Sequence, residues 1–280
     1  MLRVEATRIL YDEIGFDTTS RNAEKEIRRT LSLYRTFCHN PSLAYYVHSF
    51  YLGVNIELSV QGLWEAISTM VPMFTELKKL ACWHALPLGI PAATLLDGCS
   101  FQLESFLWIQ DYEPFLSGFL DSQPLIQYLY LGYCPKSTRV QLSSTSLPKL
   151  RMLTGDLTIL ESILPWRPVT HLHWISHPRI SSNTNISHII PALASVRVLN
   201  YYGGWSPLPE LQLVAKHLNN VRVLLWDVRY NDEVRIPLIY NTVIFVVCSN
   251  CCRAEGNSFF NSLEEATQNC LKRGQSGLSY

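Results

Sequence analysis

The chain has 280 residues and 48% of them are hydrophobic, so it is too apolar to remain disordered and long enough to bury a large core. Its 23 Lys and Arg residues balance 23 Asp and Glu residues, which leaves no net charge to attract nucleic acid or an anionic membrane. The eight cysteines lack the spacing of a disulfide-stapled secreted domain, and they predict reduced thiols in an intracellular protein, cytoplasmic or nuclear.

The first 46 residues predict an N-terminal segment with a capping helix. Met1–Leu10 alternates charged and apolar residues, so it lacks the apolar run of a signal peptide. From residue 21 to residue 38, apolar side chains such as Ile27 and Leu31 recur on one helical face, and Pro41 follows as a stop signal. We therefore expect one helix that caps the part of the chain that follows.

Residues 47–227 contain a recurring template, apolar-x-x-apolar-x-apolar, whose six positions are numbered 1 to 6 below. Successive starts are 19 to 30 residues apart and average about 25, close to the period of leucine-rich repeats. One copy is weak evidence because leucine is common, but the spacing of eight copies predicts a repeat. The starts are Val47, Leu77, Leu103, Ile126, Leu150, Val169, Val196 and Val221.

The template predicts a strand, because alternate side chains of a strand point to opposite faces. Positions 4 and 6 are then buried, whereas positions 3 and 5 lie on the other face. Between the strands, apolar residues at helical spacing, such as Leu63, Ile67 and Met70, predict helices. The expected fold is α/β: an irregular leucine-rich-repeat solenoid with a curved parallel sheet on its concave side and helices on its convex side.

Residues 228–280 predict an atypical C-terminal cap or tail, since the template disappears there. The apolar run Ile236–Val247 indicates a strand or a hairpin, and its extension to Cys252 is interrupted and too short to span a bilayer. A helix is expected from Ser262, where Glu265 completes a capping box.

Several segments resemble the repeat region of fungal F-box and leucine-rich-repeat proteins. They are LAYYVHSFYL, FTELKKL, FLDSQPLIQYLYL, RPVTHLHWI and, most specifically, LPKLRMLTGD at Leu147 to Asp156. The resemblance extends over residues 1–227, although the F-box itself is not present. It implies a substrate-recognition protein of an SCF-type ubiquitin ligase. Binding to the cullin ligase adaptor is implied by family analogy only, since the F-box is the module that docks it.

Residues at template positions 2, 3 and 5 form the candidate protein-binding site on the concave face. Tyrosines offer a large contact area with few rotatable bonds, and arginines can bind acidic groups of a partner protein. The alternative is a solvated surface without a ligand, because only a minority of surface residues contribute to binding. The predicted site residues are Tyr51, Tyr128, Tyr130, Arg151, His171, His173, Arg197, Asn200 and Arg222.

Catalytic alternatives have weaker support. His171 and His173 would share one face of a strand, as the first ligands of a metal-dependent hydrolase do, but the other predicted strands do not end in His or acidic ligands. The cluster Cys248, Cys251 and Cys252 lacks a second zinc half-site. We therefore expect a non-enzymatic protein without cofactor or metal. A third hypothesis is an F-box-receptor remnant without a function.

Overall fold

A computed structural model describes residues 2–17, 23–53, 62–83, 91–133, 140–175, 187–203, 217–218, 220–228 and 242–246. Contacts between residues divide the chain into two compact units, Met1–Val169 and Thr170–Tyr280, called unit 1 and unit 2 below. The boundary between the units lies inside the range 47–227 that the sequence predicts as repeats.

Unit 1 contains a parallel sheet whose strands follow one another in the order of the chain. Two neighbouring parallel strands need a crossover connection, because the chain must return to the same end of the sheet before the next strand begins. The strands in the described part of unit 1 are β1 (Glu13–Asp17), β2 (Ser49–Gly53), β3 (Lys79–Cys82), β4 (Ser105–Asp111), β5 (Tyr128–Tyr133) and β6 (Met152–Gly155).

The strands β2 to β6 begin at template position 3, so the strand predictions are confirmed. Their first residues are in register from strand to strand: Ser49 with Lys79, Lys79 with Ser105, Ser105 with Tyr128, and Tyr128 with Met152. Positions 4 and 6 therefore align across the sheet on one face.

Strand β1 was not predicted. Tyr11 to Phe16 fits the template, with Ile14 and Phe16 buried at positions 4 and 6. Its start lies 36 residues before the next one at Val47, outside the spacing that defined the repeat. The segment predicted as an N-terminal cap therefore adds a strand, with Glu13 in register with Ser49.

The same backbone hydrogen bonds precede each strand from β2 to β6. The carbonyl of position 2 accepts the N–H groups of positions 2 and 3 of the next strand. The Asp12 carbonyl, for example, accepts from His48 N and Ser49 N, both at 3.0 Å. The carbonyls of His48, Lys78, Glu104 and Gln127 accept equivalent pairs. These shared hydrogen bonds set the register between neighbouring strands.

The helix expected over residues 21–38 is confirmed as α2 (Ala23–His39). The other helices of unit 1 are α1 (Leu2–Tyr11), α3 (Leu63–Met70), α4 (Ala92–Leu96), α5 (Pro114–Asp121), α6 (Leu157–Ile163) and the 3-10 helices η1 (Pro41–Tyr46) and η2 (Val71–Met73). Helix α2 packs against α3, α3 packs against α4, and α4 packs against α5, so these helices form a layer in chain order. The carboxylate of Asp156 caps the N-terminus of α6 by accepting a hydrogen bond from Ile159 N at 3.0 Å.

The core of unit 1 lies under positions 4 and 6. Aromatic rings connect the layers: Phe50 of β2 lies 5.4 Å from Phe74, which lies 5.5 Å from Phe37 of α2 (centroid distances). Gly155 is the small residue at a position 6, because a Cβ there would lie 2.6 Å from Ile159 Cγ2 at the start of α6. The buried hydrophobic residues at positions 4 and 6 of β2 to β6 are Phe50, Leu52, Leu80, Cys82, Phe106, Trp108, Leu129, Leu131 and Leu153.

Unit 2 continues the same pattern within itself. Strands β7 (His171–Ile175), β8 (Val198–Gly203) and β9 (Val223–Val228) are parallel and in register, and a short helix α7 (Ile190–Leu193) precedes β8. Strand β10 (Thr242–Val246) pairs antiparallel with β9 and confirms a strand within the apolar run from Ile236. The helix predicted from Ser262 lies outside the described residues, and so does the side chain of Trp226, predicted to be buried.

Both units therefore have the α/β class expected from the sequence, with parallel strands and helices. Among the described helices, none is both long enough and apolar enough to cross a membrane.

Candidate functional site: exposed side chains along the strands

The sheet face of unit 1 opposite its core carries aromatic side chains that the fold leaves accessible. Tyr128 is 49% exposed, whereas Tyr51 and Tyr130 are half-buried. Tyr130 is in register with Leu107 on β4, which is also half-buried. We call this surface, formed by positions 3 and 5 of β2 to β6, the open face of unit 1.

Trp83 extends the open face and was missed by the sequence analysis. It directly follows β3, its N–H donates to the Leu52 carbonyl at 2.9 Å, and its side chain is 47% exposed. As the seventh position counted from Leu77, it shares the strand face of Lys79 and Ala81. The template ends at position 6, so an extension by one residue along the strand would have found this tryptophan.

Small residues on this face do not behave as expected. Ser49, Ala81 and Thr154, at positions 3 or 5, are buried rather than exposed. Thr154 is in register with Tyr130, and Ala81 is in register with Tyr51 and Leu107. Small side chains therefore lie beside larger ones on the adjacent strands, which leaves them less exposed. Alternation along a strand therefore sets the direction of a side chain, but its exposure depends on the residues across the sheet.

A polar edge precedes the open face at position 2. His48 Nδ1 lies 2.8 Å from Asp12 Oδ1, and this ion pair forms when the imidazole is protonated. Lys78 and Arg151 are exposed at the same level on later strands. Exposed ion pairs such as His48–Asp12 contribute little to stability, and charged groups at the rim of a surface act mainly on the orientation of a bound molecule.

The predicted residues of unit 2 lie on or directly before β7, β8 and β9. His171 is exposed, and its Nδ1 lies 3.0 Å from Thr170 Oγ1. Burial, together with the nearby His171, lowers the pKa of His173 below the ordinary histidine value, which favours its neutral imidazole at pH 7. Arg197 and Arg222 are exposed directly before β8 and β9.

Asn200 is the predicted site residue that offers least surface, with 8% of its area exposed. It is in register with His173 on one side and Leu225 on the other, and both side chains are larger. The structure thus brings Tyr128 and Tyr130 together on β5 in unit 1, and it brings Arg197 and Arg222 together directly before β8 and β9 in unit 2. Tyr51 lies on β2 and Arg151 precedes β6, both in unit 1.

Trp166 is a second exposed tryptophan that the sequence analysis did not identify. It lies in the turn after α6, is 85% exposed, and has a φ angle of 70°. Leu147, three residues before the template start at Leu150, has a φ of 55° and is fully buried. Trp166 likewise lies three residues before a template start, at Val169. The equivalent left-handed residue is therefore a buried leucine before one strand and an exposed tryptophan before the next.

The next residue, Arg167, fixes that turn. Its side chain is buried and donates hydrogen bonds to the carbonyls of Ser146, Ile163, Pro165 and Ser143 at 2.6 to 3.1 Å. Burial lowers the pKa of the Arg167 guanidinium, and nearby Asp121 opposes that shift. These bonds connect Arg167 to the backbone that precedes Trp166, at Ile163 and Pro165, and to the earlier segment at Ser143 and Ser146.

The chemistry available for metal binding or nucleophilic attack is limited in the described residues. No group of three or more His, Cys, Asp or Glu side chains is placed to hold a metal ion there. Burial raises the pKa of the Cys82 and Cys99 thiols to about 12, so both stay protonated and unreactive at neutral pH. The predicted cluster of Cys248, Cys251 and Cys252 lies outside the described residues.

No protein-family model matches the chain, and no curated protein sequence matches it either. A functional assignment therefore depends on the geometry of the open face and on the residues that it presents.

Proposed function

We propose that the chain is a leucine-rich-repeat protein that binds another protein on the open face of its sheet and does not catalyse a reaction. Its partner would be a substrate, as in the F-box receptors of SCF-type ubiquitin ligases that its repeat segments resemble. The hydrogen-bond pattern shared by successive strands supports a repeat, since equivalent residues occupy equivalent backbone positions.

The observation that carries the proposal is the aromatic content of the open face. Tyr128 and Trp83 each leave about half of their surface in contact with solvent, and Tyr130 lies beside Tyr128 on the same strand. Large aromatic side chains at the centre of a surface are the residues that most often dominate binding energy between proteins.

The test compares Tyr128→Ala/Tyr130→Ala with Tyr45→Ala. Tyr45 is a matched control, because it is an exposed tyrosine on η1 and does not belong to the sheet. Proteins that co-purify with the tagged chain from its native cells are quantified for each variant, and circular dichroism verifies that each variant is folded. We expect at least one partner to lose about tenfold or more in affinity for the double variant, a loss that corresponds to about 1.4 kcal/mol or more.

Retention of every partner by the folded double variant would contradict the proposal. The ligase part is tested separately in the same samples. A cullin and its adaptor recovered with the wild type and with both variants would place ligase docking away from the open face, as expected for a receptor.

A further inference from the structure

Two arginines stand side by side at the start of neighbouring strands in unit 2. Arg222 N donates to the Arg197 carbonyl at 2.7 Å, and Val223 N donates to the same carbonyl at 3.2 Å. The two residues therefore occupy the same level of the sheet, about 4.8 Å apart between strands. Both side chains are exposed.

These two positive charges are not neutralised within the described part of unit 2. Neither guanidinium has a hydrogen-bond or ion-pair partner among the described residues. None of the unit 2 residues whose side chains the structure describes is an Asp or a Glu. Like charges on adjacent strands repel each other, so the pair costs stability until an anion binds.

The described residues next to the two arginines add no negative charge. Thr170 occupies the equivalent level directly before β7, where its carbonyl accepts Arg197 N at 2.8 Å. His171, the next residue, is also exposed. Among Thr170, Arg197 and Arg222, the charge therefore comes from the two arginines and is positive.

We propose that Arg197 and Arg222 bind an acidic segment of the partner protein, with one Asp or Glu carboxylate on each guanidinium. This inference rests on the proposed function, because it names the chemistry of the partner. The planar guanidinium forms two parallel hydrogen bonds with one carboxylate, so two arginines match two carboxylates.

The spacing favours carboxylates at alternate positions of an extended segment. Residues i and i+2 of such a segment project to the same side and lie about 6.7 Å apart. The two arginine side chains are long and exposed, so their guanidiniums can separate beyond the ~4.8 Å between strands and reach that distance. An extended acidic segment that runs across the strands would therefore contact both.

Carboxylates fit better than a phosphate group. A phosphate dianion has three strong acceptor oxygens and is usually held by backbone N–H groups as well as by side chains. At this edge the N–H groups of Arg197, Val198, Arg222 and Val223 already donate to the carbonyls of the preceding strand. Two guanidiniums, by contrast, can each form a bidentate pair with one carboxylate without any backbone N–H group.

The test uses the full chain and fluorescein-labelled peptides of 12 residues. One peptide has Glu at two alternate positions in a Gly/Ser background, a second has Gln at those positions, and a third has one phosphoserine in place of the first Glu and Gln in place of the second. Binding is measured by fluorescence anisotropy at 50 mM and 300 mM salt. The protein variants are Arg197→Gln, Arg222→Gln, the double variant and Arg35→Gln, an exposed arginine on α2 that serves as the control.

We expect the Glu peptide to bind at low salt and to weaken at high salt, since exposed charges are screened. Each single variant should weaken it about threefold and the double variant about tenfold, as for exposed ion pairs, whereas Arg35→Gln should have no effect. Equal binding of the Glu and Gln peptides, or unchanged binding by the double variant, would overturn the inference. Tighter binding of the phosphoserine peptide would overturn the choice of carboxylates.

The failure of this inference is distinguishable from the failure of the proposed function. A natural partner that depends on Tyr128 and Tyr130 but binds the double arginine variant normally would refute the acidic segment and leave the protein-binding face intact. Loss of Glu-peptide binding in the double arginine variant, together with partners that ignore Tyr128 and Tyr130, would refute the proposed function alone.

Discussion

Individual residues show where the fold accepts local strain. Trp166 has a left-handed backbone, which costs a residue with a Cβ about 1 to 2 kcal/mol, and its exposed ring recovers little of that cost by burial. Arg167 compensates by binding four backbone carbonyls around the turn. The turn is therefore maintained by the arginine and not by the tryptophan.

Truncation of Trp166 should reveal this strain. We expect Trp166→Gly to be about 1 kcal/mol more stable than Trp166→Ala, because glycine adopts a φ of 70° without a Cβ clash and alanine does not. Both variants remove the same indole ring, so the comparison isolates the backbone. Denaturant unfolding at pH 7 measures the difference, and an alanine variant as stable as the glycine variant would show that the backbone there is unstrained.

At the scale of single elements, the start of α6 is the best-defined case. Asp156 is buried, and its carboxylate accepts the Ile159 N–H at the first turn, where the helix has no other partner for that group. Asp156→Ala should therefore destabilise unit 1 by about 1 kcal/mol. Asp156→Asn, which retains an oxygen acceptor, should recover most of this loss.

Thermal or denaturant unfolding of the two variants provides the measurement for α6. Equal stability of Asp156→Ala and the wild type would mean that the cap contributes nothing to the fold.

The strands were predictable because alternation is a local property of the chain. An apolar residue at positions 4 and 6 is enough to mark an extended segment, and β2 to β9 all begin at position 3 of a template copy. The sequence did not predict β1, because the spacing from Tyr11 to the next template start is long, although Tyr11 to Phe16 has the same pattern. A search that tolerated one long insertion would have included it.

The exposure of site residues was less predictable, since it depends on neighbours that are distant in sequence. Asn200 lies between the larger side chains of His173 and Leu225 on the adjacent strands. Thr154 lies beside the larger side chain of Tyr130 in the same way. Trp83 was missed because one further residue of β3's extended backbone lies outside the template. The turn at Trp166 has no sequence signal of the usual kind, since glycine and asparagine are the residues that normally mark a left-handed backbone.

At the scale of the whole molecule, parallel sheets are normally covered on both faces. Unit 1 instead leaves aromatic side chains accessible on its open face, with Tyr128 and Trp83 each about half exposed. Unit 2 presents the exposed side chains of Arg197 and Arg222 directly before β8 and β9. Apolar and charged surfaces of this kind are the features by which proteins recognise other proteins.

The most direct test of this account places a photo-crosslinking amino acid, p-benzoylphenylalanine, at position 128 and, in a second protein, at position 45. Each protein is irradiated in extracts of its native cells, and the crosslinked products are identified by mass spectrometry. We expect position 128 to form a covalent product with a specific partner and position 45 not to form it. The same product from both positions, or a partner that co-purifies but crosslinks only from position 45, would contradict the assignment of the open face as the binding surface.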